Sequence, residues 1–370
     1  MTARHGEDML IVCREAAVIE ASSMNEFRIG FSADFLNENK RLIFPDIGLG
    51  LLEDIPGLSY EFIADYRPVY GPDQMCGYDV VISGKPRVAR ESLINVHRLT
   101  AIGRCGVGYD NVDLAACTAM DIAVYITPAG VTRPMAESIV LLVLALSHNL
   151  VSKDRMVRRG HWTEASHHLG REPRGRVIGT IGLGNIAREA VRLLRVFNPA
   201  RILACDPQVT REEGERRGAE MVSMEELLRL SDYVLINCPL DASTRRLIGM
   251  NELRAMKPDA VLVNTARGPI VDEQALICAL NEGWIRGAAL DVFEHEPIQS
   301  DNPLLAMENV ILTSHSVGWT EELFRDMGRI DCEGALAVRC GEAPANVVNR
   351  EVLSRPGFQE KLRRYKEAWA

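Results

Sequence analysis

The chain has 370 residues, of which 47% are hydrophobic and 25% are charged, and its formal net charge is −9. This is an ordinary globular composition, and the length suffices for two domains with cores of their own. An acidic chain offers no basic field to nucleic acid or to an anionic membrane, so we expect neither partner. Nine scattered cysteines without C-x-x-C spacing favour reduced thiols in the cytoplasm, and no apolar run approaches the length of a membrane span.

The first third of the chain predicts an open parallel sheet. Residues 1–24 show no recognisable pattern and are interpreted as an extension. Short apolar runs, each followed by polar or Gly-rich turns, then predict strands at Phe27–Phe31, Tyr60–Ile63, Asp79–Ile82, Leu99–Ile102 and Ile122–Tyr125. Helical segments between these strands complete a doubly wound α/β pattern.

A Pro- and Gly-rich segment at residues 127–134 separates this pattern from a second one, and it predicts a linker. We expect Pro134 in the first turn of the following helix, which extends to about Leu150. That helix is apolar on almost all sides, so it should be buried between layers or lie at a subunit interface.

The second pattern opens with a nucleotide-binding βαβ unit. Its strand, glycine loop, helix and second strand are predicted at residues 176–178, 179–187, 187–197 and 201–205. In such a unit Gly182 forms the tight turn, and Gly184 lets the backbone approach a pyrophosphate at the helix N-terminus. Asp206 lies 24 residues after Gly182, where a carboxylate hydrogen-bonds a ribose 2′-hydroxyl and repels a 2′-phosphate. The pattern therefore predicts NAD rather than NADP.

Four more strands are predicted at Asp232–Cys238, Ala260–Asn264, Gly287–Val292 and Val310–Thr313. The carboxyl ends of such strands share one edge of the sheet, where ligands bind, and Arg267, Glu296 and His315 lie just beyond three of these ends. Taken singly, each residue is most simply interpreted as part of a surface ion pair or as a histidine with ordinary hydrogen-bond partners. Taken together, the three side chains supply the groups that reduction of a carbonyl needs, with no metal required. An arginine clamps a carboxylate and polarises the neighbouring keto oxygen. A histidine beside a carboxylate donates the proton as hydride arrives.

From about residue 27 to about residue 350 the chain resembles the D-isomer-specific 2-hydroxyacid dehydrogenases. The segments that carry the likeness are 106–113, 179–187, 264–272 and 291–297, together with His315. The resemblance implies that Arg267 binds a small 2-oxo acid, that His315 is the acid/base, and that Glu296 assists His315. It also implies that the N–H groups around Val107 and Gly108 hold the substrate carboxylate. The residues expected to bind NAD are Gly182, Gly184, Asn185, Ile186, Asp206, Cys238, Pro239, Thr265, Ala266, Arg267, Asp291 and His315.

The family fold implies two doubly wound parallel-sheet domains, with a Rossmann NAD-binding domain inserted into a flavodoxin-like substrate domain. The expected boundaries are 1–128 and 317–370 for the substrate domain and 129–316 for the NAD-binding domain. The likeness also implies a homodimer, with the helix after the linker and the region around Trp162 at the interface.

Two other functions stay open: an NAD(H)-binding sensor or corepressor-like protein, and a phosphoglycerate dehydrogenase. Formate dehydrogenases lack the Glu–His arrangement, and phosphite oxidisers need a lysine where Val107 stands, so both are disfavoured. Relatives that act on phosphoglycerate place a basic residue where this chain has Ser83, while Lys85 and Arg87 come later in the loop. We therefore expect a small unphosphorylated acid of the glyoxylate or hydroxypyruvate kind.

Overall fold

The computed structural model describes residues 26–369, and these residues form two compact units. One unit contains the described residues up to Val131 together with those from Thr320 onward, and the other unit is Thr132–Trp319. The prediction for residues 1–24 lies outside the described residues.

The first unit is built on a five-stranded parallel sheet. Its strands are β1 (Phe27–Phe31), β2 (Leu58–Phe62), β3 (Val80–Ser83), β4 (Ala101–Arg104) and β5 (Ala123–Ile126). They are hydrogen-bonded in the order β2-β1-β3-β4-β5, which is the flavodoxin-like order. Every residue of β3 is buried, as expected for a central strand covered on both faces.

Helices cover both faces of this sheet. They are α1 (Pro72–Met75), α2 (Leu114–Ala119), and, after the long excursion of the chain, α10 (Glu321–Arg339) and α11 (Pro356–Trp369). The last two helices cover one face, where Phe358 and Tyr365 pack with Phe27 of β1. Tyr365 also donates a 2.6 Å hydrogen bond to buried Asp79 at the start of β3. The C-terminal segment is therefore part of the core of the first unit.

The second unit is built on a seven-stranded parallel sheet. Its strands are β6 (Val177–Ile181), β7 (Arg201–Cys205), β8 (Glu220–Met221), β9 (Tyr233–Ile236), β10 (Val261–Asn264), β11 (Gly287–Leu290) and β12 (Val310–Leu312). The order β12-β11-β10-β9-β6-β7-β8 places β6, the first strand of the unit, in the interior of the sheet, and the order of succession of the strands reverses between β6 and β9. This is the Rossmann arrangement, and its ligand crevice lies at the point of reversal.

The remaining helices cover this second sheet. They are α3 (Pro128–Ser147), α4 (Leu150–Arg158), α5 (Asn185–Leu194), α6 (Arg211–Arg216), α7 (Met224–Leu230), α8 (Met250–Ala255) and α9 (Glu273–Asn281). On one face α3 and α5 pack against the strands through Ile139, Val143 and Val191, and on the other α7, α8 and α9 contribute Leu227, Leu253 and Leu276.

The prediction of a linker at residues 127–134 is wrong, because residues 128–134 are helical. Helix α3 begins at Pro128 and has Pro134 in its interior, so the helix starts a turn and a half earlier than expected. The fixed φ of proline suits a helix, and Pro134 removes only one backbone hydrogen bond. The Ser138 hydroxyl donates to the Pro134 carbonyl at 2.8 Å. The two compact units divide after Val131, inside α3, and after Trp319, and the expected domain boundaries after residues 128 and 316 lie near these positions.

Helix α3 is also long and apolar enough to pass for a membrane span by length and composition. Half of its apolar stretch is buried within the protein, as in the core helix of a globular domain. Its exposed apolar side chains include Leu141, of which 53% is accessible.

Candidate active site

The glycine loop follows β6, which extends to Ile181, three residues beyond the predicted strand end. Gly182 has φ +92°, and a Cβ added there would lie 2.7 Å from the carbonyl oxygen of Asn237. A side chain at this position would therefore be both strained and in collision with the backbone after β9. Gly184 differs, because a Cβ there would meet nothing within 4 Å. The loop thus turns tightly at Gly182 and leaves open space over Gly184.

Asp206, at the end of β7, is tied to this loop. Its Oδ2 accepts the Leu183 N–H at 2.8 Å and its Oδ1 accepts the Gln208 N–H at 2.9 Å. Arg217 holds the loop from the other side by donating to the Leu183 carbonyl at 2.8 Å and to Glu213 at 2.7 Å. Sequence reasoning missed Arg217, since an arginine pair after a short helix has the appearance of an ordinary solvated surface.

The segments after β9 and β10 lie at the same sheet edge. Cys238 is buried, and burial raises the pKa of its thiol to about 11, so the thiol is neutral at physiological pH. Buried Asn264 ends β10, where its amide oxygen accepts the Ala266 N–H at 3.0 Å and its amide nitrogen donates to the Arg267 carbonyl at 3.0 Å. This side chain shapes the turn that presents Thr265, Ala266 and Arg267.

Arg267 is held in an extended conformation at the end of that turn, with its Nη1 donating to the Ala266 carbonyl at 2.7 Å. The next residue must be glycine, because a Cβ on Gly268 would lie 1.9 Å from the backbone of Phe293. The contact brings the Arg267 turn against the segment that leads to Glu296.

Glu296 and His315 form a hydrogen-bonded pair, with 2.8 Å between Glu296 Oε2 and His315 Nδ1. The second carboxylate oxygen of Glu296 accepts the Phe293 N–H at 3.1 Å. Burial opposes ionisation of Glu296, but the hydrogen bond and charge of His315, the Phe293 N–H and the charge of Arg267 outweigh it, and the pKa of Glu296 is lowered. The carboxylate is therefore ionised at neutral pH and fixes the imidazole with Nδ1 toward it.

His315 has φ +54°, in the left-handed region that non-glycine residues rarely adopt. Asp291 holds this conformation. Its carbonyl accepts the His315 N–H at 2.8 Å, and its buried Oδ1 accepts the Ser316 and Val317 N–H groups at 2.9 and 3.1 Å. The Thr313 hydroxyl donates to the same Oδ1 at 2.7 Å. One carboxylate thus organises the whole turn that carries the histidine.

In the first unit, the loop after β4 contains Val107 and Gly108. Gly106, at φ +131°, starts the loop and donates its N–H to the Thr127 hydroxyl at 2.8 Å. The Gly106 carbonyl accepts the Thr127 N–H at 2.9 Å. The loop is therefore tied to the end of β5, and Val107 and Gly108 are both half-buried.

Comparison with known proteins decides the family. Residues 140–317 match the NAD binding domain of the D-isomer specific 2-hydroxyacid dehydrogenases. The chain is 42% identical over 268 residues to a glyoxylate reductase of Korarchaeum cryptofilum, which covers 71% of this chain and 80% of that protein. The chain belongs to the D-isomer-specific 2-hydroxyacid dehydrogenase family.

Two further relatives of this dehydrogenase show the range of the family. A D-3-phosphoglycerate dehydrogenase of Methanocaldococcus jannaschii is 38% identical over 288 residues, and the match spans 78% of this chain but only 54% of that protein. The crystal structure of a glyoxylate reductase from Paecilomyes thermophila aligns with a TM-score of 0.75 at 27% identity, covering 89% of this chain and 100% of the other. The predicted family, fold class, NAD cofactor and general oxidoreductase activity are confirmed.

The residues around the glycine loop of this dehydrogenase fit NAD. The open space at Gly184 leaves room for a pyrophosphate against the first N–H groups of α5, at Asn185 and Ile186. Asp206 keeps lone pairs on both oxygens after accepting one backbone N–H at each. Within residues 26–369, no group of three His, Cys, Asp or Glu side chains is arranged to hold a metal ion.

The structure brings Arg267, Asp291, Glu296 and His315 to the carboxyl edge of the neighbouring strands β10, β11 and β12. Sequence reasoning anticipates these four residues but gives Asp291 only a cofactor contact. The pattern of polar residues at 313–317 carries the missing signal, since a turn after a strand has several backbone N–H groups that need an acceptor.

Proposed function

We propose that this protein interconverts a small 2-oxo acid and the corresponding 2-hydroxy acid, with Arg267, Glu296 and His315 as its reacting side chains. NAD(H), when bound, supplies or accepts the hydride at C2. The observation that carries the proposal is the 2.8 Å pair of Glu296 Oε2 and His315 Nδ1, at the sheet edge that also presents Arg267.

His315 acts as the proton donor to the keto oxygen in reduction and as the acceptor in oxidation. Because Glu296 occupies Nδ1, the other ring nitrogen, Nε2, delivers the proton. The ionised carboxylate stabilises the imidazolium and keeps the ring oriented while the proton moves.

Arg267 binds the substrate carboxylate and polarises the keto oxygen next to it. Its guanidinium has five donors in a planar fork, and the bond from Nη1 to the Ala266 carbonyl fixes the plane of that fork. The family likeness assigns the N–H groups around Val107 and Gly108 to the same carboxylate. The other residues expected to bind the cofactor, including Cys238, Pro239 and Thr265, are assigned to contacts with NAD(H).

The substrate we propose is small and unphosphorylated, of the glyoxylate or hydroxypyruvate kind. The Ser83 side chain is fully buried, so it offers nothing to a phosphate. Lys85 and Arg87 are exposed, and the backbone around Arg87 is bridged to Val69. Long, exposed basic side chains such as these bind a dianionic phosphate only weakly, and salt screens the interaction.

Loss of NADH absorbance in the presence of glyoxylate, hydroxypyruvate or phosphohydroxypyruvate tests both the activity and the substrate. We expect turnover with the first two and a clearly lower kcat/KM for the phosphorylated acid. The variant His315→Asn should lose turnover, whereas His295→Asn, which changes an exposed histidine in the segment before Glu296, should keep it. NADH binding without turnover of any 2-oxo acid would instead favour the sensor function, and preference for the phosphorylated acid would favour a phosphoglycerate dehydrogenase.

We also propose a cytoplasmic homodimer formed through the second unit. Exposed apolar side chains gather on α3, α4 and the segment after them: Leu141, Leu150, Val157, Trp162 and Leu169. Trp162 and Leu169 are 74% and 78% exposed, which is unusual for large apolar residues in a monomer. None of the described cysteines forms a disulfide, in keeping with a reducing compartment. Analytical ultracentrifugation of the wild type and of Trp162→Ala tests the dimer, which should weaken in the variant.

A further inference from the structure

Asp331 is a carboxyl group sealed inside the first unit. It lies in the middle of α10 and has no accessible surface, and among residues 26–369 neither of its side-chain oxygens has a partner at normal hydrogen-bond geometry. The Tyr125 hydroxyl donates to the Asp331 backbone carbonyl at 2.7 Å and so does not satisfy the carboxyl group. The neighbouring Cys105 thiol is at best a weak donor to this carboxyl group, and a buried charge without a strong partner is strongly unfavourable.

The carboxyl group faces β4 and the loop that follows it. A Cβ added to Gly103 would lie 2.8 Å from Asp331 Oδ1, so the carboxyl group packs directly on the backbone of β4. Cys105, a half-buried residue two positions further along the chain, lies close to Asp331. Desolvation raises the pKa of its thiol most, and the charge of Asp331 raises it further. Val107 follows Cys105 by two residues, which is at most about 7 Å of backbone.

Four titratable or charged groups surround Asp331. They are Arg104 and Cys105 from the end of β4, Tyr125 from β5 and Cys332 from the same helix. Arg104 is the cation among these four, and its guanidinium is directed to the Cys105 carbonyl and, at 3.2 Å, to Asn111. Burial raises the pKa of Asp331 to about 7, and the Cys105 thiol and Arg104 offset only part of that effect.

We propose that Asp331 is a positioning residue that sets the affinity of the Gly106–Gly108 loop for the substrate carboxylate according to its own protonation. The neutral acid leaves the field at the loop N–H groups favourable for an anion. The ionised form adds a negative charge against Gly103 of β4, three residues before Gly106, where the protein interior screens it poorly. This inference rests on the proposed assignment of the loop around Val107 and Gly108 to the substrate carboxylate.

The test is the pH dependence of KM and kcat for glyoxylate, at saturating NADH, from pH 6 to pH 8.5. It compares the wild type with Asp331→Asn, which keeps the shape of the side chain but cannot ionise. Asp326→Asn is the matched control, since Asp326 lies on the same helix but has 39% of its side chain exposed and is paired with Arg325.

We expect the KM of the wild type, divided by the KM of Asp331→Asn, to be near one at pH 6 and to reach roughly three to ten at pH 8.5. The kcat profiles of the two proteins should coincide, and the control should follow the wild type. A KM ratio that is the same at all pH values shows a merely structural residue and overturns the proposal.

Binding of oxalate to the NADH-loaded protein, measured by calorimetry over the same pH range, separates this inference from the proposed function. If no 2-oxo acid is turned over but oxalate binding weakens with rising pH more steeply in the wild type than in Asp331→Asn, the enzyme proposal fails and the role of Asp331 stands. If oxalate does not bind, the loop assignment and the role of Asp331 fall together. Should Asp331→Asn not fold, carboxyl-¹³C NMR of aspartate-labelled wild type decides, because the absence of a carboxyl resonance titrating near neutral pH excludes the switch.

Discussion

Replacing Asp331 by asparagine should make the stability of the protein less sensitive to rising pH. The pKa of Asp331 is raised from 3.8 to about 7 in the folded protein, so between these values the folded state holds a proton that the unfolded state has released. The wild type therefore has its full stability below about pH 4 as far as this group is concerned. The contribution of Asp331 to the free energy of unfolding is lost as the pH rises from about 4 through 7. Above pH 7 the carboxylate is charged in both states, and the folded state buries that charge.

The size of the effect follows from the shift. About three pK units at 1.36 kcal/mol each give about 4 kcal/mol in total, of which about 3 kcal/mol falls between pH 5 and pH 8. The group is fully buried, so solvent screening does not reduce this figure. The amide of Asp331→Asn is also buried without a partner, but that cost does not change with pH.

Urea unfolding followed by circular dichroism at pH 5, 6, 7 and 8 measures the effect. The stability of Asp331→Asn relative to the wild type should improve by about 3 kcal/mol over this range, with most of the change below pH 7. The variant Asp326→Asn, at a partly exposed aspartate on the same helix that is paired with Arg325, is the matched control and should not reproduce this change. Parallel pH curves for wild type and Asp331→Asn would refute the reasoning, because they would mean that the carboxyl group ionises in the folded protein as readily as in the unfolded chain.

Three other outcomes are expected. The kcat/KM for NADH should be roughly thirtyfold higher than that for NADPH, which corresponds to about 2 kcal/mol, because Asp206 would repel a 2′-phosphate. Equal values would show that Asp206 does not select the cofactor. In Glu296→Gln the pH profile for reduction should fall off at lower pH than in the wild type, since the amide does not stabilise the imidazolium of His315, and an unmoved profile would show that Glu296 does not tune the histidine. Gly182→Ala should weaken NADH binding in fluorescence titrations and lower the Tm, because a side chain there meets the Asn237 carbonyl at 2.7 Å; unchanged binding and Tm would contradict the tight-turn role.

The sequence predicts the features that depend on local pattern. Every strand except the two-residue edge strand β8 is predicted to within a few residues, because buried parallel strands are short apolar runs bounded by turns. Arg267, Glu296 and His315 are proposed as site residues from the sequence because strand ends converge at one edge. The start of helix α3 is mispredicted because the rule that proline breaks a helix is weak in the first turns. Its true extent depends on packing that a local pattern does not contain.

The burial of Asp331 can be predicted from the sequence, but its position against β4 cannot. Met327, Ala335 and Val338 are buried on α10, and Asp331 lies four residues from the first two, so helical spacing places it on the apolar stripe. The pattern therefore indicates burial of an acid. The sequence alone does not reveal which strand that stripe covers, since α10 comes more than 200 residues after β4 in the chain.

The first unit is assembled from the two ends of the chain, and this arrangement constrains the order of events during synthesis. The second unit is one continuous segment, Thr132–Trp319, so it is complete when the ribosome has released that segment. The sheet of the first unit, by contrast, lacks the two long helices that cover one of its faces until α10 and α11 emerge, and Phe27, Phe31 and Ile82 are only partly covered until then. Nascent chains that stop before Phe358 and Tyr365 would expose this apolar surface, which makes them natural clients for chaperones and proteases.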